Sequence, residues 1–164
     1  MDTLDTKSEA SSRTDSPGVR VPPPIWYALA VLGGYFLNRQ WPLLISAKLF
    51  VRLLGLIIGG GGMVLALAGV QGFRHAKTSR VPVRPATALV TSGPYALTRN
   101  PMYVGLALAT IGCGLLMATW WPILLLVPAL AIVQVFVIVP EERYLHRRFG
   151  ADYERYVDHV RRWV

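Results

Sequence analysis

Apolar residues fill four long tracts of this chain, and the polar residues between them are few and unevenly placed. The tracts predict spans over about residues 25–39, 49–73, 102–119 and 121–139. The first is short for a hydrocarbon layer that takes about 20 helical residues to cross. A tilt, or inclusion of Val21 and Trp41 at its ends, would extend it. Trp120-Trp121-Pro122 separates the last two tracts, and interfacial tryptophans beside a helix-breaking proline predict a tight hairpin there. After Pro140 the pattern changes. Tyr144, Leu145, Phe149, Tyr153, Tyr156, Val157 and Val160 recur at helical spacing among basic residues. They predict an amphipathic interfacial helix over 141–162, broken near Gly150. Residues 1–20 are polar, lack an apolar period and read as a disordered tail; they do not open as a cleavable signal peptide does. The fold class is therefore all-α: a polytopic membrane helical bundle occupying residues 21–164.

Composition sharpens this reading. Of the 164 residues 53% are hydrophobic and 16% charged, and the mean hydropathy is +0.41, which does not suit a soluble domain. No acidic residue occurs between Asp15 and Glu141. Hydrocarbon imposes that pattern, because a carboxylate at the bilayer centre costs on the order of 3 kcal/mol. The net charge of +8 does not indicate nucleic acid, since the basic residues flank apolar tracts instead of lining one polar face. Attraction to anionic membrane lipids accounts for them.

Charge also predicts orientation. Arg74, Lys77, Arg80, Arg84 and Arg99 lie between the second and third spans, and Arg143, Arg147, Arg148, Arg155, Arg161 and Arg162 follow the fourth. The turn between the third and fourth spans has no basic residue, and the first loop has only Arg39 and Lys48. The positive-inside rule then puts both basic segments, and both termini, in the cytoplasm. Two polar features consequently share one membrane face: the stretch LVTSGPYALTRNPMYVG from Leu89 to Gly105, and the pair Glu141-Glu142.

These two features are the candidates for chemistry. Gly93-Pro94 marks a turn, and Pro101 biases Asn100 away from the helical region, so the polar segment has a shaped backbone. The Arg99 guanidinium suits bidentate pairing with a carboxylate, although an arginine beside a span also serves as a topology anchor. Glu141 and Glu142 suit a first helical turn, where the dipole favours negative charge; as a pair opposite Arg99 they suit a cationic group. Tyr95 and Tyr103 fit either an aromatic belt or stacking on an adenine. The run Gly59–Gly62 lacks the Lys-Ser/Thr of a phosphate loop and reads as close helix packing. Cys113 reads as a small packing residue, and His75, His146 and His159 lack metal-ligand spacing, so no metal is expected.

Taken in order, GPYALTRNPMYVG, a long apolar hairpin and EERYLHRRFGADYERY resemble the membrane methyltransferases of the isoprenylcysteine carboxyl methyltransferase and phospholipid methyltransferase superfamily. The resemblance covers roughly Ala88 to Tyr156. It implies S-adenosylmethionine as cofactor, bound without a Rossmann domain. It carries the cofactor contacts to Leu89, Val90, Thr91, Gly93, Tyr95, Asn100, Pro101, Met102 and Tyr103, and to Glu141 or Glu142. It also puts Arg99 nearest the reacting groups. With a charged cofactor arriving from the cytoplasm, Arg99 and Glu142 are the expected catalytic pair, holding the charged ends of cofactor and substrate, while the tyrosines hold the adenosyl part. Asn100 stands where many members have histidine, and Val137, Ile138 and Val139 stand where prenylcysteine enzymes carry an arginine.

The methyl acceptor stays open among a prenylcysteine-like carboxylate, a lipid amine and a quinone-like hydroxyl. Two other readings compete. NADPH-dependent steroid and sterol reductases share the layout but typically place a glutamate after the Asn-Tyr-x-Gly that follows the proline, whereas Leu106 follows Gly105 here. A non-catalytic assembly bundle would account for the glycine-rich span, and that span leaves self-association open.

Overall fold

The computed structural model describes residues 22–75 and 89–164, with no side-chain detail for 73–75. The expected disordered tail and the basic residues Lys77, Arg80 and Arg84 lie outside the described residues, as does the side chain of Arg74. Helices account for nearly all of the rest, in the order α1 (Pro24–Gln40), α2 (Leu49–His75), a 3-10 turn (Gly93–Ala96), α3 (Pro101–Leu116), α4 (Trp121–Val133), a π segment (Gln134–Ile138), α5 (Val139–Phe149) and α6 (Ala151–His159). No β-strand forms among the described residues.

Side-chain size runs opposite to that of a soluble protein. Phe50, Ile57, Val64, Val127 and Phe136 point outward and stay exposed, while glycines and alanines face the neighbouring helices. Water would penalise so large an apolar exterior; lipid tails do not. Two helices, Leu49–Gly72 and Trp121–Phe149, are long and apolar enough to cross a membrane, whereas Pro101–Leu116 is apolar but shorter.

The tightest contact joins α2 to α3, antiparallel. Gly55, Gly59, Gly62 and Gly69 form one stripe that meets Gly112, Gly105 and Met102. A Cβ added at Gly62 would lie 2.6 Å from the Gly105 carbonyl oxygen, so the two backbones touch. Gly60 and Gly61 face open space. The expected packing role of the glycine run thus belongs to its first and last members, the ones at helical spacing.

α1 packs on α4, where Gly34 receives Pro122. Away from the polar motif, the α1–α2 loop and the α3–α4 turn close the bundle: Thr119 Oγ1 donates to Asn38 Oδ1 at 2.8 Å, and Trp121 Nε1 donates to the Trp41 carbonyl at 2.7 Å. Thr119 is fully buried, so this hydroxyl is satisfied without water.

One expectation differs at Pro140. The rod does not stop at Val139 with a separate tail helix after it; helix continues from Trp121 to Phe149. A proline lacks its N–H and crowds the carbonyl four residues back. The π turn at Gln134–Ile138 widens the helix just ahead of Pro140, with Val139 N–H reaching the Gln134 carbonyl, and absorbs that conflict. Glu141 and Glu142 therefore sit within a continuous rod, where no free N-terminal amides await a cap. The expected break near Gly150 is present: Gly150, at φ +51, ends α5 and lets α6 fold back. The expected tail helix 141–162 is thus two pieces, the second ending at His159.

A Gly62→Ala variant is expected to lose about 1–3 kcal/mol of stability by overpacking, read as a lower unfolding midpoint in detergent. Gly60→Ala and Gly61→Ala, which meet no atom within 4 Å, should leave the midpoint unchanged or slightly raised.

Candidate active site

The 89–105 segment is shaped by its glycine and prolines. Gly93, at φ +62, opens the 3-10 turn, and Asn100, at φ −128 and ψ 50, stays out of the helical region ahead of Pro101, which starts α3. Tyr103 follows half a turn into α3 and points into the bundle, where its hydroxyl donates to Glu141 Oε2 at 3.2 Å. The adjacent Glu142 points to a different side, since neighbouring helical residues diverge by about 100°. There it meets Arg99: Arg99 Nη1 lies 3.2 Å from Glu142 Oε1, with both side chains largely buried. Two features separated by a long apolar tract therefore meet at one end of the bundle, Tyr103 and Glu141 being 38 positions apart in the chain.

α6 packs behind this pair. Tyr156 donates its hydroxyl to the Tyr95 carbonyl at 2.6 Å, and burial pushes the Tyr156 hydroxyl up to about 12. Burial likewise raises Tyr95 and Tyr153, in each case ahead of neighbouring charges. All three phenols remain neutral donors near pH 7.

Beyond α6 the chain turns back as a short strap, residues 160–164, along the Thr98–Asn100 segment. Arg99 N–H donates to the Arg161 carbonyl at 2.9 Å. Thr98 Oγ1 and Asn100 Nδ2 both donate to the Arg162 carbonyl, at 3.1 and 2.9 Å. The Arg162 guanidinium then grips both oxygens of Glu142, Nε to Oε1 at 2.9 Å and Nη2 to Oε2 at 2.7 Å. That hydrogen bond holds Arg162 above its ordinary pKa.

An open groove of about 450 Å³ lies over these residues, lined by Arg99, Glu142, Arg143, His146, Arg147, Tyr153, Val157 and Arg162. Four arginines against one carboxylate leave it strongly electropositive. Arg99 Nε is buried with no partner among the described residues, so this guanidinium is not saturated.

The sequence-predicted residues divide by location. Arg99, Tyr103, Glu141 and Glu142 converge at the end of α3 and α5. Tyr95 is buried, its ring against Gly72 of α2, with Val90 beside it. Met102 packs over Gly69 and Pro101 is fully buried. Asn100 is buried on the strap, while Thr91 and Gly93 are exposed and Leu89 is half-buried. Arg162 was missed: it reads as one of many tail arginines, and nothing in the spacing pairs it with a glutamate 20 residues earlier. Its only signal is that Arg161-Arg162-Trp163 follows the last residue of the helical apolar period.

An all-helical bundle with an apolar exterior and a polar charged centre at one end defines a membrane-embedded class of protein, and sequence comparison identifies which. Residues 50–152, more than half of the chain, match the phospholipid methyltransferase family. The chain belongs to this family, and is by that membership a membrane methyltransferase. The match starts well before the motif region and takes in the glycine-striped helix. No curated protein and no solved structure matches the chain.

Glu142→Ala leaves two arginines facing one another without their carboxylate. Loss of charge-assisted hydrogen bonds of this kind costs on the order of 2 kcal/mol, so a clear drop in the unfolding midpoint is expected. Tyr103→Phe removes one neutral donor and should cost about half as much.

Proposed function

We propose that the chain transfers the methyl group of S-adenosylmethionine to a lipophilic acceptor at the cytoplasmic membrane face, and that its helices cross the bilayer four times. The observation that carries this reading is that Arg99 and Glu142 pair in the wall of an electropositive groove, with the Tyr103–Glu141 pair next to them inside the bundle, at the end of helices built for lipid. Family membership supplies the reaction class.

The donor set suits this cofactor. S-adenosylmethionine carries a carboxylate, an ammonium and a sulfonium, and the chain offers an arginine with an unpartnered Nε and a carboxylate whose hydrogen-bond partner is Tyr103. Arg99 would hold the carboxylate. Glu141, oriented by Tyr103, would face the cationic part. Glu142, with both oxygens engaged by arginines, is better suited to fixing Arg99 than to receiving a cation itself. Leu89, Val90, Thr91, Gly93 and Tyr95 would border the adenosyl part from the segment that leads into the turn.

When bound, S-adenosylmethionine supplies a methyl group activated by positive sulfur and open to in-line attack by a lone pair. The chain's own contribution is alignment and exclusion of water, which can supply most of the acceleration for such a step. The arginines and glutamates fix the charged end from the aqueous side. The apolar faces of α3 and α4 would admit an acceptor sideways from the bilayer. A lipid amine suits this arrangement, because its protonated form is attracted to Glu141 and its neutral form carries the lone pair.

The test is transfer of radiolabelled methyl from S-adenosylmethionine into solvent-extractable lipid by protein reconstituted in phospholipid vesicles. Wild type is expected to label lipid, and Arg99→Ala to lose about 100-fold of the rate, the scale of misalignment effects. An Arg99→Ala protein as active as wild type would remove Arg99 from the mechanism.

A further inference from the structure

Glu142 is reached by two arginines from opposite flanks: Arg99 ahead of α3 and Arg162 beyond α6. The two contacts are unequal. Arg162 makes a fork on both oxygens, at 2.9 and 2.7 Å, whereas Arg99 makes one contact at 3.2 Å to the oxygen that Arg162 Nε already shares. Glu142 is thus held by Arg162 and offered to Arg99.

The strap that delivers Arg162 is itself tied to the residues on both sides of Arg99. Thr98 and Asn100 bind the Arg162 carbonyl from their side chains, and the Arg99 amide binds the Arg161 carbonyl. Trp163 packs against the helical core and pins the end of the strap. Arg162 lies outside residues 50–152, the part of the chain that the family match covers.

We propose that Arg162 is a positioning residue of the methyl-transfer site, locking Glu142 so that Arg99 is presented in one orientation to an anionic group of the ligand. The proposal rests on the reading of Arg99 as the carboxylate-holding group. Two physical effects carry it. An arginine side chain surrenders rotamer freedom when fixed; a counter-charge already immobile lets Arg99 lose that freedom before the ligand arrives. Charge balance is the second effect. Arg99 and Glu142 alone would form a neutral pair with little attraction for an anion. With Arg162 added, the three groups carry one net positive charge, and the unpartnered Nε leaves Arg99 with a donor to spare.

The side chain and main chain of Arg162 have separable roles, which makes the test specific. Arg162→Ala removes the fork and keeps the carbonyl that binds Thr98 and Asn100. Arg162→Lys keeps the charge and loses the fork. In the reconstituted methyl-transfer assay, Arg162→Ala is expected to raise the KM for S-adenosylmethionine about tenfold, the scale of one charge-assisted contact. The KM for the lipid acceptor should change less than about twofold on the same scale. Arg162→Lys should fall between, and added guanidinium ion at millimolar concentration should restore part of the lost affinity in the alanine variant only. Arg161→Ala, whose side chain is exposed, should match wild type.

Unchanged S-adenosylmethionine KM in both Arg162 variants, with an active wild type, overturns the role of Arg162 and leaves the enzyme reading standing. Equal rises in both KM values without rescue by guanidinium also overturn it, because they mark a merely structural residue. Wild-type protein that turns over no S-adenosylmethionine removes the enzyme reading, and this proposal with it. Should the alanine variant fail to fold, the lysine variant decides by the same KM split.

Discussion

A carboxylate at the end of an apolar helix must be neutralised locally, and the architecture at this end of the bundle follows from how Glu142 meets that requirement. Its helix carries no charge from Trp121 to Pro140 and then presents two glutamates in succession. Burying such a group without a partner is costly enough to unfold a small domain. The fold answers with a cation from each flank. Arg99 comes from the loop that enters α3, and Arg162 from a strap that runs back after α6. Satisfying one carboxylate thereby fixes the relative positions of three segments that are far apart in sequence.

The rest of the bundle holds that arrangement in register. Without a hydrophobic drive between helices in lipid, close backbone approach and a few polar ties do the work. The glycine stripe on α2 sets the depth to which α3 sinks, and so the height of Tyr103 and Arg99. The π turn ahead of Pro140 lets one continuous rod carry Glu141 and Glu142 past the proline, where a kink or stop would turn them elsewhere. At the opposite end the Thr119–Asn38 and Trp121–Trp41 hydrogen bonds close the loops. The two ends thus have different jobs: one is locked by neutral hydrogen bonds, the other is charged and opens on a groove.

Much of this was legible in the sequence where the signal is local or compositional. The apolar tracts follow from composition, and the turn at Gly93-Pro94, the non-helical Asn100 before Pro101 and the break at Gly150 are each dictated by a residue's own backbone preferences. The proximity of Arg99 to Glu142 followed from charge bias and hairpin logic, which are coarse but cumulative. What escaped was long-range or cooperative. Pro140 looked like a stop because a π turn, invisible in periodicity, could not be anticipated. Glu141 and Glu142 looked like helix-capping acids for the same reason. The seat of the Tyr95 ring against α2 was also not legible, because the helical glycine that admits it gives no sign of that partner in the sequence. Arg162 was indistinguishable from the surrounding tail arginines, because its partner is chosen by tertiary folding.

The central claim is that this charged end binds the methyl-donor nucleoside. Calorimetric titration of detergent-purified protein with S-adenosylhomocysteine, with NADPH as the comparison ligand, tests that most directly. Saturable binding of S-adenosylhomocysteine and none of NADPH is the expected result. Binding of NADPH alone, or of neither ligand by folded protein, would contradict it.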